Sequence, residues 1–266
     1  MRHSRDVLRS IVLNKTIKVI EFTQTGRYKE KVPESYRLVL DAFPLKVIDL
    51  DVKGKFMWWQ LDGDVVPWYM WITYGMSGQF STKKTNHTSM IVHHQDGKLF
   101  FNDPRHFGTV KFVNNKKDHD KKLKSLGPDL LGDPLVTPEL FAQNVLKKPN
   151  RTICEALMDQ SCVSGVGNYV KSEALYKAGI VPHRNVTDLT SEEFIILHSA
   201  TVSVLKDAYK ARGASIRTYK SVLDEDGEAQ FTFKVYSQKT CANGHPTSNK
   251  VTEDARRSWW CTQCQL

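Results

Sequence analysis

The chain has 266 residues and a mass of 30.4 kDa, which suits two domains or one large domain. Apolar residues make up 40% and charged residues 25%, which excludes a wholly disordered protein. Lysine and arginine outnumber aspartate and glutamate by 38 to 29, and the net charge of +9 favours a polyanionic partner. The sequence contains neither a long uncharged apolar run nor a hydrophobic leader, so we expect an intracellular protein without a membrane span.

The first half of the chain is predicted to be a β domain preceded by one helix. Residues 2–13 have helical spacing of apolar side chains, and short β-like runs follow from about residue 16 to residue 112. Asp62-Gly63 and Asp96-Gly97 fall between runs, as hairpin turns would. The runs are TIKVIEF (16–22), LKVIDLDVKGKFMWWQL (45–61), VPWYMWITYGM (66–76), TSMIVHH (88–94) and KLFFND (98–103). The pattern predicts a β-sandwich or a barrel-like pair of sheets.

The second half is predicted to be helical. It follows a lysine-rich stretch, residues 116–124, which we interpret as a solvated linker. A proline in the first turn starts a helix over residues 138–147. Thr190 and Glu193 form a capping box for a long helix that ends near Gly213.

From Gln230 the sequence FTFKVYSQ has β character again and leads into a cluster of potential metal ligands. Cys241, His245, Cys261 and Cys264 have the spacing C-x3-H-x15-C-x2-C. Zinc prefers four nitrogen or sulfur ligands in a tetrahedron, and this set fills all four positions, so we predict one structural Zn²⁺. The alternative is a surface histidine beside free thiols.

Two arginines lie between the ligand pairs, next to two tryptophans. The stretch 254–260 reads DARRSWW, and arginines beside aromatic side chains at a hairpin tip suit contact with phosphate. In the alternative, the tryptophans pack beneath the finger and the arginines are only solvated.

A glycine-containing segment, residues 158–180, precedes the long helix. Gly165 and Gly167 permit a tight turn before a helix that begins at Asn168. Free N–H groups at such a helix start form an anion site. A dinucleotide-binding loop fits poorly because no strand precedes Gly165. The alternative is that the glycines let two helices approach closely.

Together these segments resemble the Fpg/Nei family of DNA glycosylases in order and spacing. The shared segments are GMSG (75–78), NDPRHFG (102–108), LGPDLL (126–131), residues 158–180, VY (235–236) and RRSWWCTQCQ (256–265). The Cys-His-Cys-Cys ligand set, with Trp-Trp before the third ligand, most resembles the Nei-like branch that includes endonuclease VIII-like protein 2. The bacterial Fpg pattern has four cysteines.

The resemblance implies an α+β multidomain fold. Its parts would be an N-terminal β-sandwich over residues 1–124, a helix–two-turn–helix domain over 125–227 and a zinc-finger hairpin over 228–266. The family binds DNA in the cleft between its domains, so we expect damaged DNA as the partner. No organic cofactor and a monomeric state are also expected.

The resemblance also implies roles for individual residues. Asn168 and Arg256 would grip the phosphates that flank an extruded nucleotide. Met76, Arg105 and Phe107 would fill the space that the flipped base leaves. An everted base leaves an unstacked hole, which an apolar wedge and a planar cation can occupy. Judged by residue type alone, Met76 and Phe107 would instead be core residues.

A further set of residues concerns strand cleavage and the lesion strand. Lys55 matches the family lysine that assists strand-cleaving elimination, although it could also be an ordinary strand-edge lysine. Thr85 stands where many relatives have a histidine near the lesion strand. We expect His87 or Lys148 to supply that phosphate contact.

The main departure from the family lies at the start of the chain. Family members begin with Pro-Glu after the initiator methionine; the proline amine attacks the sugar C1′, and the glutamate is the general acid/base. An α-amine suits this role because its pKa lies near neutrality. This sequence begins Met-Arg-His-Ser. Either an upstream peptide carries the catalytic pair, which we favour, or the protein is truncated and is a binder of damaged DNA or at most a weak lyase that uses Lys55.

Three functions therefore compete. The first is a base-excision repair glycosylase for oxidised bases, expected to be pyrimidines, with coupled AP-lyase activity, located at DNA and nuclear in a eukaryote. The second is a catalytically impaired paralogue that binds damaged DNA. The third is a generic zinc-ribbon protein that binds nucleic acid, for example RNA; it predicts the finger but not the GMSG, NDPRHFG and Asn168 motifs.

Overall fold

The computed structural model describes residues 1–63, 66–211, 222 and 232–266. The chain divides into two compact units. Met1–Leu123 form the first, joined by Val222, and Lys124–Ala211 form the second together with residues 232–266. Each unit has its own cluster of buried apolar side chains.

The first unit is built on one sheet of eight antiparallel strands, preceded by helix α1 (Arg2–Val12). The strands are β1 (Thr16–Phe22), β2 (Leu45–Lys53), β3 (Phe56–Asp62), β4 (Trp68–Thr73), β5 (Gln79–Ser81), β6 (Thr88–His94), β7 (Gly97–Asn102) and β8 (Thr109–Val113). Their order in the sheet is β5-β7-β6-β1-β2-β3-β4-β8. A short helix, α2 (Tyr36–Leu40), lies between β1 and β2 in the sequence.

The sheet folds over so that its two halves share one core. The rings of Trp59 on β3 and Phe80 on β5 stack at 5.5 Å although the two strands are not neighbours. Phe22 on β1 meets Phe112 on β8 edge-to-face at 6.4 Å. Alternation of buried and exposed residues along β2 supplies the apolar face that such packing needs. The predicted β-sandwich is confirmed.

One predicted β run is two strands. The apolar stretch over residues 45–61 turns at Gly54-Lys55, and β2 and β3 pair antiparallel from Lys53↔Phe56 outward. Gly54 has φ +59°, a left-handed conformation that glycine adopts without a Cβ clash. The run conceals the turn because apolar residues lie close on both sides of it.

The lysine-rich stretch that we interpreted as a solvated linker is a helix, α3 (Lys116–Lys124), with a single buried residue, and it ends where the chain divides into its two units. His119 is buried on this helix, and its ring stacks on Tyr69 at 4.1 Å. The indole N–H of Trp71 donates to His119 Nδ1 at 3.1 Å. His119 anchors α3 to the sheet, and the sequence does not reveal this because most residues around it are charged.

The second unit contains the other α-helices of the described residues. They are α4 (Pro138–Leu146), α5 (Ile153–Met158), α6 (Asn168–Ala178) and α7 (Ser191–Lys210). The predicted capping box of α7 is present, with Thr190 and Glu193 as its two members. Helix α7 ends within the described residues at Lys210, and the predicted stop at Gly213 lies outside them.

A loop built on turns joins α5 to α6. Gly165 in this loop has φ +98°. Gly127 lies against the same loop, where an added Cβ would be 2.4 Å from the backbone of Cys162. The glycine at 127 therefore permits a close approach between the LGPDLL segment and the turn.

The segment expected to resume β structure differs from the prediction. Gln230 and Phe231 lie outside the described residues, and residues 232–238 form turns and bends instead of a strand. Their N–H groups bind a side chain: the carboxylate of Glu173 accepts hydrogen bonds from Lys234, Val235 and Tyr236 at 2.8–3.0 Å. The backbone N–H groups of this segment therefore bind a buried carboxylate on α6 and not the carbonyl groups of a neighbouring strand.

The chain ends in a two-stranded hairpin. Its strands, β9 (Thr247–Val251) and β10 (Arg257–Cys261), pair antiparallel with Trp259 opposite Asn249. The confirmed α+β fold thus comprises a β-sandwich, a helical part and a C-terminal hairpin beside the Cys/His cluster.

Candidate functional site

Two loops of the β-sandwich present apolar side chains to solvent. Met76 is 59% exposed and Phe107 is 49% exposed, which is unusual for large apolar side chains. The loops touch at Gly75, which has φ +60° and where an added Cβ would be 2.6 Å from the backbone of Phe107. The guanidinium carbon of Arg105 lies 5.4 Å from the centre of the Phe107 ring. Met76, Arg105 and Phe107 therefore belong to one loop pair.

A buried carboxylate joins these loops. Asp103 is 2% exposed, and its Oδ1 accepts a hydrogen bond from the Ser77 hydroxyl at 2.7 Å. Its Oδ2 accepts from the Gly108 N–H at 2.6 Å, while the Arg105 N–H donates to Ser77 Oγ at 3.0 Å. Sequence reasoning did not single out Asp103, although it lies inside the NDPRHFG segment. Its position inside that motif was the one sequence signal that could have pointed to Asp103.

Lys55 lies at the turn between β2 and β3. Its side chain is exposed, next to Gly54. On the other side of the turn the ammonium of Lys53 donates to the Leu123 carbonyl at 3.0 Å. A short hairpin thus holds Lys55 at the end of a two-stranded ribbon.

His87 and Lys148 differ in their surroundings. His87 is exposed, and its carbonyl accepts a hydrogen bond from the Asp103 N–H at 2.9 Å. The structure thereby connects His87 to the Asp103 loop. Lys148 pairs with Asp159 at 2.8 Å in the second unit, although its side chain is 63% exposed. Part of its charge is therefore already neutralised by the protein.

The N-terminus of α6 is joined to the hairpin tip. Asn168 is the first residue of the helix, and its Nδ2 donates to the Arg257 carbonyl at 2.9 Å. The adjacent Arg256 is exposed at a tight tip that the Thr252 N–H closes by donating to the Arg256 carbonyl at 2.9 Å. The structure thus brings two predicted phosphate-binding residues, distant in sequence, to one surface of the second unit.

The four predicted metal ligands converge. Donor atoms of Cys241, His245, Cys261 and Cys264 all lie within 4.8 Å of one another. The Cys241 and Cys264 sulfurs are 3.9 Å apart, and His245 Nδ1 is 3.2 Å from Cys264 Sγ and 3.8 Å from Cys261 Sγ. A tetrahedral zinc with ordinary bond lengths requires edges of about 3.6–3.8 Å. The donor set and its dimensions therefore fit a metal ion.

Hydrogen bonds favour the thiolate form of one of these cysteines. Burial raises the pKa of Cys241, but hydrogen bonds from Tyr176 and from the Asn243 and His245 backbone outweigh it and lower that pKa to about 6. Tyr176 lies on α6, so the helix that begins at Asn168 also contacts the ligand cluster. A thiolate is the form of cysteine that binds metals.

No helix in the described parts of the chain combines the length and the apolar character needed to cross a bilayer.

Comparison with known families matches both halves of the chain. Residues 1–110 match the formamidopyrimidine-DNA glycosylase N-terminal domain, and residues 126–220 match the formamidopyrimidine-DNA glycosylase H2TH domain. The H2TH match covers the described helices α4, α5, α6 and α7.

Individual relatives extend over almost the whole chain. The formamidopyrimidine-DNA glycosylase of Bacillus licheniformis is 30% identical over 271 residues, covering 98% of this chain and 96% of the relative. The enzyme of Cytobacillus firmus is 32% identical over 270 residues, covering 97% and 95%.

Solved structures agree with the fold. The MutM (Fpg) protein of Thermus thermophilus superposes with a TM-score of 0.83 at 27% identity, covering 99% of this chain and 96% of the other. A Lactococcus lactis Fpg mutant in complex with Fapy-dG-containing DNA gives 0.86 at 24% identity, with coverage of 99% and 97%, and bears on the fold alone. Because relatives at 30% identity are covered almost end to end, the chain belongs to the formamidopyrimidine-DNA glycosylase (Fpg) family of base-excision repair glycosylases.

Proposed function

We propose that this protein removes oxidised bases from DNA and cleaves the strand at the resulting abasic site. The observation that carries the proposal is the exposed pair Met76 and Phe107, held beside the Arg105 guanidinium on two connected loops. Extruding a damaged nucleotide leaves a hole in the base stack. An apolar wedge and a planar cation fill such a hole, which offsets the cost of unstacking.

Phosphate contacts from the second unit would hold the extruded nucleotide. Asn168 and the exposed Arg256 lie on one surface, and the net charge of +9 supports a polyanionic partner. Because each neutralised phosphate releases counterions, binding should weaken steeply with salt. Affinity for duplex DNA carrying an abasic-site analogue, measured across salt concentrations, tests this. A flat response would contradict the proposed clamp.

Strand cleavage would proceed through a Schiff base. A protein amine attacks C1′ of the deoxyribose, and the damaged base leaves with the bonding electrons and a proton. The amine nitrogen loses its proton, the C1′–O4′ bond breaks as O4′ is protonated, and an iminium forms between the nitrogen and C1′. The iminium then acidifies the C2′ hydrogen, whose loss expels the 3′ phosphate. In this proposal the exposed Lys55 assists the elimination.

Borohydride trapping tests the covalent step. Reduction of the iminium during reaction with an abasic-site oligonucleotide should leave an irreversible protein–DNA crosslink, and Lys55→Ala should slow cleavage. Binding of the oligonucleotide without crosslink or cleavage would instead indicate a noncatalytic DNA-binding module. Lys46→Ala provides a control, because Lys46 is an exposed lysine on β2, the strand that leads into the turn at Lys55.

The metal in this proposal is a structural Zn²⁺. One histidine nitrogen and three cysteine sulfurs are ligands that zinc prefers, and they leave no open position for a substrate. When bound, the ion supplies folding free energy to the hairpin and takes no part in the chemistry. Elemental analysis of purified protein should find one zinc per chain.

The lesion class we propose is oxidised pyrimidines, as in the Nei-like branch. The support is the ligand set, which has His245 in place of a cysteine, and the Trp259-Trp260 pair before Cys261. Single-turnover release from matched duplexes carrying 5-hydroxyuracil or 8-oxoguanine tests it. Faster release of 8-oxoguanine would contradict the pyrimidine preference and leave the glycosylase proposal intact.

A further inference from the structure

The first two turns of α6 hold the hairpin through polar side chains. Asn168 binds the Arg257 carbonyl, and Glu173 binds the turn before Cys241. Between them in the sequence, Lys171 reaches the hairpin tip and pairs with Asp254 at 2.5 Å. One helix therefore contacts both the tip and the segment that leads into the ligand cluster.

The Lys171–Asp254 ion pair is withdrawn from water. The side chain of Lys171 is 0% exposed and that of Asp254 is 3% exposed. Removing two charges from water is costly, and truncating one partner leaves the other charge buried and unpaired. Cys154 on α5 contributes to the surroundings of the pair, since Asp254 and Lys171 both influence the pKa of its thiol, which burial raises. The pair is thus part of the interior of the second unit.

The same carboxylate shapes the backbone at Arg256. Asp254 Oδ2 binds Lys171, whereas its Oδ1 accepts a hydrogen bond from the Arg256 N–H at 3.1 Å. The Thr252 hydroxyl lies 2.7 Å from the same Oδ1. A continuous path of contacts therefore runs from α6 through one carboxylate to the main chain of Arg256.

We infer that Lys171 is a positioning residue that acts through Asp254 to fix Arg256 relative to Asn168. The inference rests on the proposed role of Arg256 in phosphate binding. Lys171 lies three residues after Asn168 on the same helix, so the geometry of α6 sets the spacing of the two phosphate contacts. Lys171 itself is fully buried and touches no DNA in this proposal.

A double-mutant cycle tests whether Lys171 acts through Arg256. Lys171→Met, Arg256→Ala and the double variant are compared for their dissociation constants with an abasic-site-analogue duplex. We expect each single change to raise the dissociation constant about tenfold, within the range for residues of one network. The double variant should bind no more weakly than Arg256→Ala alone, because Lys171 has nothing left to position.

A second pair of variants guards against loss of folding. Asp254→Asn should weaken binding as Lys171→Met does, and adding Lys171→Gln should restore most of the affinity by giving a neutral hydrogen-bonded pair. Lys177→Met is the matched control, because Lys177 lies on the same helix α6 but is exposed, and its ammonium donates to the Ser203 hydroxyl at 2.6 Å. Zinc content is measured for every variant, and it should match wild type in Lys171→Gln/Asp254→Asn.

The outcomes distinguish failure of the positioning role of Lys171 from failure of the proposed phosphate contact of Arg256. Additive effects of Lys171→Met and Arg256→Ala, or unrestored affinity in a zinc-loaded Lys171→Gln/Asp254→Asn protein, would overturn the positioning role alone. Unchanged affinity in Arg256→Ala would instead remove the proposed phosphate contact. Nonadditive single effects with recovery in the neutral pair would support the inference.

Discussion

The carboxylate of Asp103 binds the hydroxyl of Ser77 at 2.7 Å and so connects two loops of the β-sandwich. One loop carries Met76, and the other carries Arg105 and Phe107. Because exposed apolar side chains gain little from the core, their position depends on the backbone that bears them. The Asp103–Ser77 contact supplies that constraint.

Replacing this carboxylate should loosen both loops. The two oxygens of Asp103 accept from the Ser77 hydroxyl and from the Gly108 N–H. Asparagine keeps only one of these oxygens, so in Asp103→Asn one of the two donors loses its acceptor. We expect a loss of about 1–3 kcal/mol in the free energy of unfolding. Affinity for an abasic-site-analogue duplex should also fall. Urea unfolding and fluorescence anisotropy measure the two effects.

Asp96→Asn is the control for this change, because Asp96 pairs with Lys15 at an exposed turn. Exposed ion pairs contribute little, so the free energy of unfolding should hardly change in Asp96→Asn. Equal losses in Asp103→Asn and Asp96→Asn would argue against the loop connection.

The hairpin tip should be stabilised by a glycine. Ala255 has φ +57°, a left-handed conformation that costs about 1–2 kcal/mol for a residue with a Cβ. Ala255→Gly removes this strain but increases the freedom of the unfolded chain, so we expect a net gain of about 0.5 kcal/mol. Chemical unfolding measures it.

The opposite sign is expected for a glycine in a regular helix. Ala142→Gly, within α4, should lower the unfolding free energy by about 1 kcal/mol. A loss of stability in Ala255→Gly, similar to that in Ala142→Gly, would show that the φ of residue 255 carries no strain.

The acid stability of the second unit should depend on Asp159. Burial raises the pKa of this carboxyl, but hydrogen bonds from Lys148, Ser161 and Arg151 outweigh burial and hold the pKa well below its usual range. A carboxyl with a lowered pKa stabilises the fold above its unfolded pKa of about 3.9, and this contribution is lost as the pH falls further. Asp159→Asn should therefore cost about 2 kcal/mol at pH 7.

Stability curves against pH check the sign. The difference between wild type and Asp159→Asn should be constant above about pH 5 and shrink at lower pH. Asp120→Asn removes the exposed pair with Lys116 and should have little effect. A difference for Asp159→Asn that grows as the pH falls would contradict the assignment.

Local sequence patterns predicted many of the helices and strands, whereas they could not predict which buried polar side chains pair with each other. Short β-like runs identified β1 and β6, and the capping box identified the start of α7. The pairing of Lys171 with Asp254 joins residues 83 positions apart, so no local pattern contains it.

The predicted site residues divide along the same line. The spacing of the four metal ligands is local in each pair, and both pairs converge as expected. Asp103 was missed because its importance lies in a contact with Ser77, 26 residues away. Sequence motifs therefore locate exposed candidate site residues better than the buried groups that hold them.

Removing the metal should abolish DNA binding by the hairpin. Cys261→Ser replaces a central ligand, and we expect loss of zinc, disorder of the tip that carries Arg256, and weaker binding to an abasic-site-analogue duplex. Cys162→Ser is the matched control. Burial raises the pKa of the Cys162 thiol to about 11, and this protonated group donates to the Asn144 carbonyl, as serine can. Zinc content and affinity should match wild type in Cys162→Ser, whereas full zinc and affinity in Cys261→Ser would refute the ligand assignment.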